Sequence, residues 1–133
     1  MTENYNNTCF KKIEEAEVYD VAIRSPLEFA KTLSKRFNNE IFLKREDLQP
    51  VFSFKLRGAY NKIAKLKRSR KIKKLITASA GNHAQGVALA AKKLEIKACI
   101  VMPKSTPGIK IEAVKSLKAE VILYGDSYDD AYD

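Results

Sequence analysis

The stretch LITASAGNHAQGVALAAKKLEIKACIVMP, residues 75–103, decides the fold. Leu75, Ile76, Thr77 and Ala78 make a short apolar run, as expected for a strand buried on both faces. Ser79, Ala80 and Gly81 form a tight loop of small residues, and an alanine-rich helix follows over 82–94. Lys97, Ala98, Cys99, Ile100, Val101 and Met102 read as a second apolar strand, which Pro103 stops. Two strands joined by a helix of that length pair in parallel through a right-handed crossover.

The same alternation extends outward. Thr106 is placed to cap a helix with Pro107 at its first position, running to about residue 117. Residues 120–124 read as another strand, and Asp126 opens a further helix. Upstream, Ser53 can cap a helix whose apolar stripe is Leu56, Ala59, Tyr60, Ile63 and Leu66. Before it, a turn at Asn38 and Asn39 leads into a short strand over 40–44. Ser25, Pro26 and Glu28 have capping-box spacing with Pro26 at the first helical position, which predicts a helix to about residue 37 that turns Leu27, Phe29, Ala30 and Leu33 inward. Residues 10–21 read as a peripheral helix. From residue 40 the order is β-α-β-α-β-α-β-α, an α/β fold with a parallel sheet and helices on both faces. The pattern stops within a helix, so the expectation is the N-terminal part of one longer, here truncated, domain.

The chain has 133 residues, 45% hydrophobic and 31% charged, the balance of one ordered domain. No apolar run approaches the roughly 18 residues of a membrane span, and the N-terminus lacks the basic-then-apolar build of a secretory signal. Cys9 and Cys99 make neither a disulfide framework nor a zinc set. Together these features predict a cytoplasmic protein with free thiols. The net charge of +9 is local: residues 48–94 carry 12 Lys/Arg and no Asp/Glu, and eight of the twelve lie in KIAKLKRSRKIKK, 62–74. Such a run can bind phosphate backbones, but it lacks interleaved aromatics, and a solvated helix end is the commoner meaning.

Two loops have content that suits chemistry. Ser79, Ala80, Gly81, Asn82 and His83 precede a helix start, where free N–H groups favour an anion and small residues let it approach. An ordinary capped turn uses the same residue types. The second is Ser53, Phe54 and Lys55. A lysine among apolar neighbours has its charged form disfavoured and its amine made available for Schiff-base chemistry. Position alone favours the alternative, in which the stem packs and the head reaches water. His83, the only histidine, has no carboxylate near it in sequence and reads as a hydrogen-bonding residue at the helix start. Arg57 sits among apolar neighbours and is unexplained by either reading.

Three segments in order, KREDLQPVFSFKLRGAYNKI (44–63), ITASAGNHAQGVALAAKKL (76–94) and IVMPKSTPGIKIEAVKSLKAEVILYG (100–125), resemble the threonine dehydratase (threonine ammonia-lyase) family. The resemblance begins near residue 19 and is strongest to the biosynthetic branch, which opens isoleucine synthesis. It implies a pyridoxal 5'-phosphate enzyme of the tryptophan-synthase β-like fold, fold type II. It implies that Lys55 bonds the cofactor beside Phe54, and that Asn82 hydrogen-bonds the cofactor ring oxygen. Ser79, Ala80, Gly81, Asn82 and His83 would receive the substrate carboxylate, with no metal involved. The implied reaction converts L-threonine to 2-oxobutanoate and ammonia, and L-serine to pyruvate. Ala80 stands where serine racemase relatives carry a second serine, so elimination is favoured over racemisation. The resemblance also implies a homo-oligomer, with no membrane and no nucleic acid as partner. The family's glycine-rich phosphate loop has no counterpart among Gly58, Gly81, Gly86, Gly108 and Gly125, so this chain alone is expected to be inactive.

Overall fold

The computed structural model describes residues 2–133, with side chains from Thr8 onward. In chain order the elements are α1 (Thr2–Glu14), a 3-10 turn (Val18–Asp20), β1 (Leu27–Phe29), α2 (Lys31–Phe37), β2 (Phe42–Lys44) and a second 3-10 turn (Glu46–Leu48). Then follow α3 (Lys55–Ser69), β3 (Lys74–Ala78), α4 (Asn82–Lys93), β4 (Lys97–Met102), α5 (Gly108–Ser116), β5 (Glu120–Leu123) and α6 (Tyr128–Tyr132).

Strands β3, β4 and β5 form a parallel sheet in that order, as the alternation from residue 75 predicts. Register sorts their side chains by face, because paired residues point the same way. Leu75 pairs with Ala98, and Thr77 with Ile100 and then Val121, which places these residues on the face packed against α3, α4 and α5. Ile100, Met102 and Val114 are wholly buried there. Helix α4 brings Ala84, Val87, Ala88 and Ala91 to the same core, and its small side chains let it lie close to both α3 and the sheet. Short α6 packs on the opposite face beside Ile76, Ala78 and Val101.

Several local expectations are corrected. Residues 27–37 are not one helix. The Ser25 hydroxyl, expected to cap it, donates to Glu46 Oε1 at 2.5 Å, so no cap forms. Leu27–Phe29 instead pairs antiparallel with Phe42–Lys44, and the Phe29 and Phe42 rings lie 5.3 Å apart. Leu27, Phe29 and Leu33 are therefore exposed rather than inward. This also removes residues 40–44 from the parallel sheet. Strand β3 is an edge with Ile76 68% exposed, not a strand covered on both faces. Thr106 does not cap α5, since its hydroxyl is buried without a partner. Ser127, not Asp126, caps α6, in a box with Asp130. The N-terminal helix ends at Glu14, and only a 3-10 turn at Val18–Asp20 follows where helix was expected to continue.

Candidate active site

Lys55 opens α3 directly after a loop held from several sides. Gln49 is 1% exposed, and its amide brackets Ile23, donating to the Ile23 carbonyl and accepting from the Ile23 N–H, both at 2.9 Å. Phe52, at φ 54°, reverses the chain and donates its N–H to the Gln49 carbonyl. Ser53 is buried and its Oγ accepts from the Lys55 N–H at 3.2 Å. Phe52 and Phe54 stay exposed and do not enclose Lys55, whose Nζ lies 5.4 Å from the Phe54 ring centroid. The head of Lys55 therefore reaches solvent in this chain.

The second loop meets the first through a glycine. A Cβ on Gly86 would lie 3.0 Å from the Leu56 nitrogen and 3.1 Å from the Lys55 carbonyl carbon. Helix α4 thus rests on the first turn of α3, and one turn back from Gly86 is Asn82, the first residue of α4. This close approach sets the start of α3 against α4, the helix that the Ser79, Ala80, Gly81, Asn82 and His83 loop begins. Ser79 is buried; its N–H donates to the Val101 carbonyl at 3.0 Å, and its Oγ accepts from the Gly81 N–H at 3.4 Å. Gly81 is extended, with open space where a side chain would stand. No side chain caps α4, and the side chains of Asn82 and His83 are exposed with no hydrogen-bond partner among the described residues. His83 borders a cleft of about 760 Å³ that runs along the free edge of β3 to Ile72 and Leu66. A primary amine on the first turn of α3 and the uncapped start of α4, two helices in contact at Gly86, suit a ligand that offers a carbonyl carbon and an anion, so the residue types present fit pyridoxal phosphate with a carboxylate substrate.

The strongest electrostatics lie behind the lysine. The Arg57 guanidinium, aided by hydrogen bonds from Ser25 and Gln49 and opposed by burial, holds the Glu46 carboxyl at about 2. Glu46 raises Arg57 in turn. Burial, with the bond to Asp20, pushes Tyr60 up to about 12. Glu46, Gln49, Arg57 and Gly86 are the residues that sequence reasoning did not place at the site. Gly86 carried a signal as an isolated glycine within an alanine-rich helix, and Arg57 as an unexplained basic residue among apolar neighbours. In the basic run, Lys67 donates to the Leu94 carbonyl, Arg68 pairs with Glu17 and Lys74 with Glu120, so part of it is spent on internal contacts.

Residues 18–133 match the pyridoxal-phosphate dependent enzyme family, and the chain belongs to it. It is 61% identical over 119 residues to a biosynthetic, chloroplastic threonine dehydratase of Arabidopsis thaliana, covering 90% of this chain and 20% of that one. It is 57% identical to a mitochondrial threonine dehydratase of Saccharomyces cerevisiae, over 87% of this chain and 20% of that one. Among solved structures, the processed form of threonine deaminase isoform 2 from Solanum lycopersicum superposes with a TM-score of 0.85 at 57% identity, over 91% of this chain and 33% of that one. The fold-type expectation is met by these likenesses. The chain spans about a fifth of the length of the curated relatives it matches. The cytoplasmic location expected from the sequence is overturned, because relatives this similar are named for chloroplast and mitochondrion.

Proposed function

We propose that this chain supplies the cofactor lysine and the anion loop of a biosynthetic threonine ammonia-lyase acting on L-threonine, with L-serine as a second substrate. The observation that carries the reading is the Gly86 contact, which sets the Lys55 backbone against the helix whose N-terminus is the Ser79–His83 loop. When bound, pyridoxal phosphate supplies an electron sink for negative charge at the substrate α-carbon. Lys55 Nζ would hold the cofactor at its aldehyde carbon, and as a free amine it would accept the substrate α-proton. Phe54 flanks that amine. Asn82 would hold the cofactor by donating its side-chain amide to the ring oxygen. The N–H groups at the start of α4 and the Ser79 hydroxyl bind the substrate carboxylate, with Gly81 and Ala80 leaving room and His83 at the rim. Ala80 offers no group to exchange a proton on the opposite face, which favours loss of the β-hydroxyl over racemisation. The products are then 2-oxobutanoate and ammonia, the entry to isoleucine synthesis.

The test is an absorbance spectrum of the chain with pyridoxal phosphate, then borohydride reduction and peptide mapping. A band near the visible edge with the label on Lys55 is the expected result. Label scattered over residues 62–74, or unchanged in Lys55→Ala, refutes the assignment of Lys55.

A further inference from the structure

One carboxylate ties together the segments that precede and carry Lys55. Glu46 accepts from Arg57 Nε at 2.8 Å and Nη2 at 2.9 Å, from Ser25 Oγ at 2.5 Å, and from Gln49 Nε2 at 3.3 Å. Arg57 Nη2 also donates to the Ile23 carbonyl at 3.2 Å, the group that Gln49 holds. The Tyr19 ring covers the same guanidinium, 5.3 Å from its centroid. The Glu46 and Arg57 side chains are only 18% and 23% exposed.

This pair closes the 46–57 loop at both ends. Arg57 follows Lys55 by two residues, about 200° around the helix. It therefore anchors the side of the first turn away from Lys55, while Gly86 of α4 bears on the Lys55–Leu56 backbone. Partly buried ion pairs contribute little net stability, because desolvation offsets the attraction, but they fix geometry well. A bidentate guanidinium–carboxylate fork is the most directional form of such a pair.

We propose that Glu46 and Arg57 are positioning residues: their ion pair sets where the Lys55 amine is presented, without touching substrate or cofactor. The proposal rests on reading Lys55 as the cofactor lysine.

The experiment compares the chain with E46Q, R57K and Y60F. Tyr60 donates to Asp20 at 2.6 Å and so also ties α3 to the preceding segment, but it does not hold the 46–57 loop. Variants are compared at temperatures where circular dichroism shows each fully folded. Two readouts are taken: the pH profile of Lys55 acetylation relative to exposed Lys92, and borohydride trapping of pyridoxal phosphate on Lys55. E46Q and R57K are expected to shift the acetylation profile of Lys55 and to lower trapping on the order of tenfold or more, since small displacements of a reacting group are costly. Y60F should alter neither. R57K keeps the charge and loses the fork, so it should not rescue the effect. Equal effects in Y60F, or no effect in E46Q and R57K, overturn the proposal. Should Lys55 of the unaltered chain take no pyridoxal phosphate, the functional reading fails, and acetylation alone still decides the positioning pair. Where E46Q does not fold, R57K carries the comparison.

Discussion

Replacing Gly86 by alanine tests the contact on which the site depends. The added Cβ would stand 3.0 Å from the Leu56 nitrogen, 3.1 Å from the Leu56 Cα and 3.1 Å from the Lys55 carbonyl carbon. Comfortable contacts between carbon atoms lie near 3.5–4.0 Å. All three neighbours are backbone, so no side-chain rotation relieves the crowding, and α3 and α4 must part by a few tenths of an ångström. Alanine gains about 1 kcal/mol over glycine in helix propensity. Overpacking of this kind costs about 1–3 kcal/mol, leaving a net loss of about 1 kcal/mol. Gly58 is the internal control, because it lies in α3 and a methyl group added there would meet nothing within 4 Å. Gly58→Ala should therefore gain about 1 kcal/mol, and the two substitutions should differ by about 2 kcal/mol with opposite signs. Urea unfolding followed by circular dichroism measures both, with equal slopes required for the comparison. Trapping of pyridoxal phosphate on Lys55 should fall in Gly86→Ala and hold in Gly58→Ala. If Gly86→Ala is as stable as Gly58→Ala, α4 does not rest on the first turn of α3, and nothing then joins Lys55 to the Ser79–His83 loop.

Acid should weaken the fold through Glu46. Its folded value near 2 lies below the ordinary 4.5, so its contribution is complete above about pH 4.5 and is lost as pH falls toward 2. The ceiling is about 3 kcal/mol, and screening at a partly exposed pair brings it to about 1–2 kcal/mol; E46Q should flatten this limb in acid titrations of stability. Replacing Lys67, Arg68 and Arg70 together by serine should leave weak polynucleotide binding and its salt dependence nearly unchanged, since the run already makes internal contacts. A lost salt slope of about one per phosphate contact would instead establish a nucleic-acid surface.

The parts of the fold legible in sequence are those where one local signal dominates. Residues 98–102 are apolar throughout and stop at Pro103, and the strand runs Lys97–Met102 as expected. Of the stripe Leu56, Ala59, Tyr60, Ile63 and Leu66, the first four are buried as the spacing predicts and Leu66 is half-buried. Residues 27–37 depart from the expected helix because capping-box spacing is a local signal that a distant group can override. Ser25 meets Glu46, 21 residues away, and the antiparallel pairing takes the rest. Ile76 is exposed against expectation because apolar content cannot say whether a strand is central or at an edge. The assignment of Lys55 and Asn82 to the candidate site comes from a motif resemblance, not from spacing. The Glu46–Arg57 pair has no periodic signature, since eleven residues separate a loop carboxylate from a helical guanidinium.

The composition of α4 is best understood as a geometric requirement. Leucine at Ala84, Ala88 or Ala91 would bury more apolar area, at about 25 cal/mol per Å². Each of these residues is at most 1% exposed, so a larger side chain would have to push the helix away from its neighbours. The direction of that push matters more than its energy. Gly86 lies on the same helix, against the peptide that joins Lys55 to Leu56, so any retreat of α4 carries Asn82 and the Ser79–His83 loop away from Lys55. Small residues along α4 therefore do two things with one physical cause. They close the core between α3 and the sheet, and they keep the first turn of α3 against the helix that follows the Ser79–His83 loop.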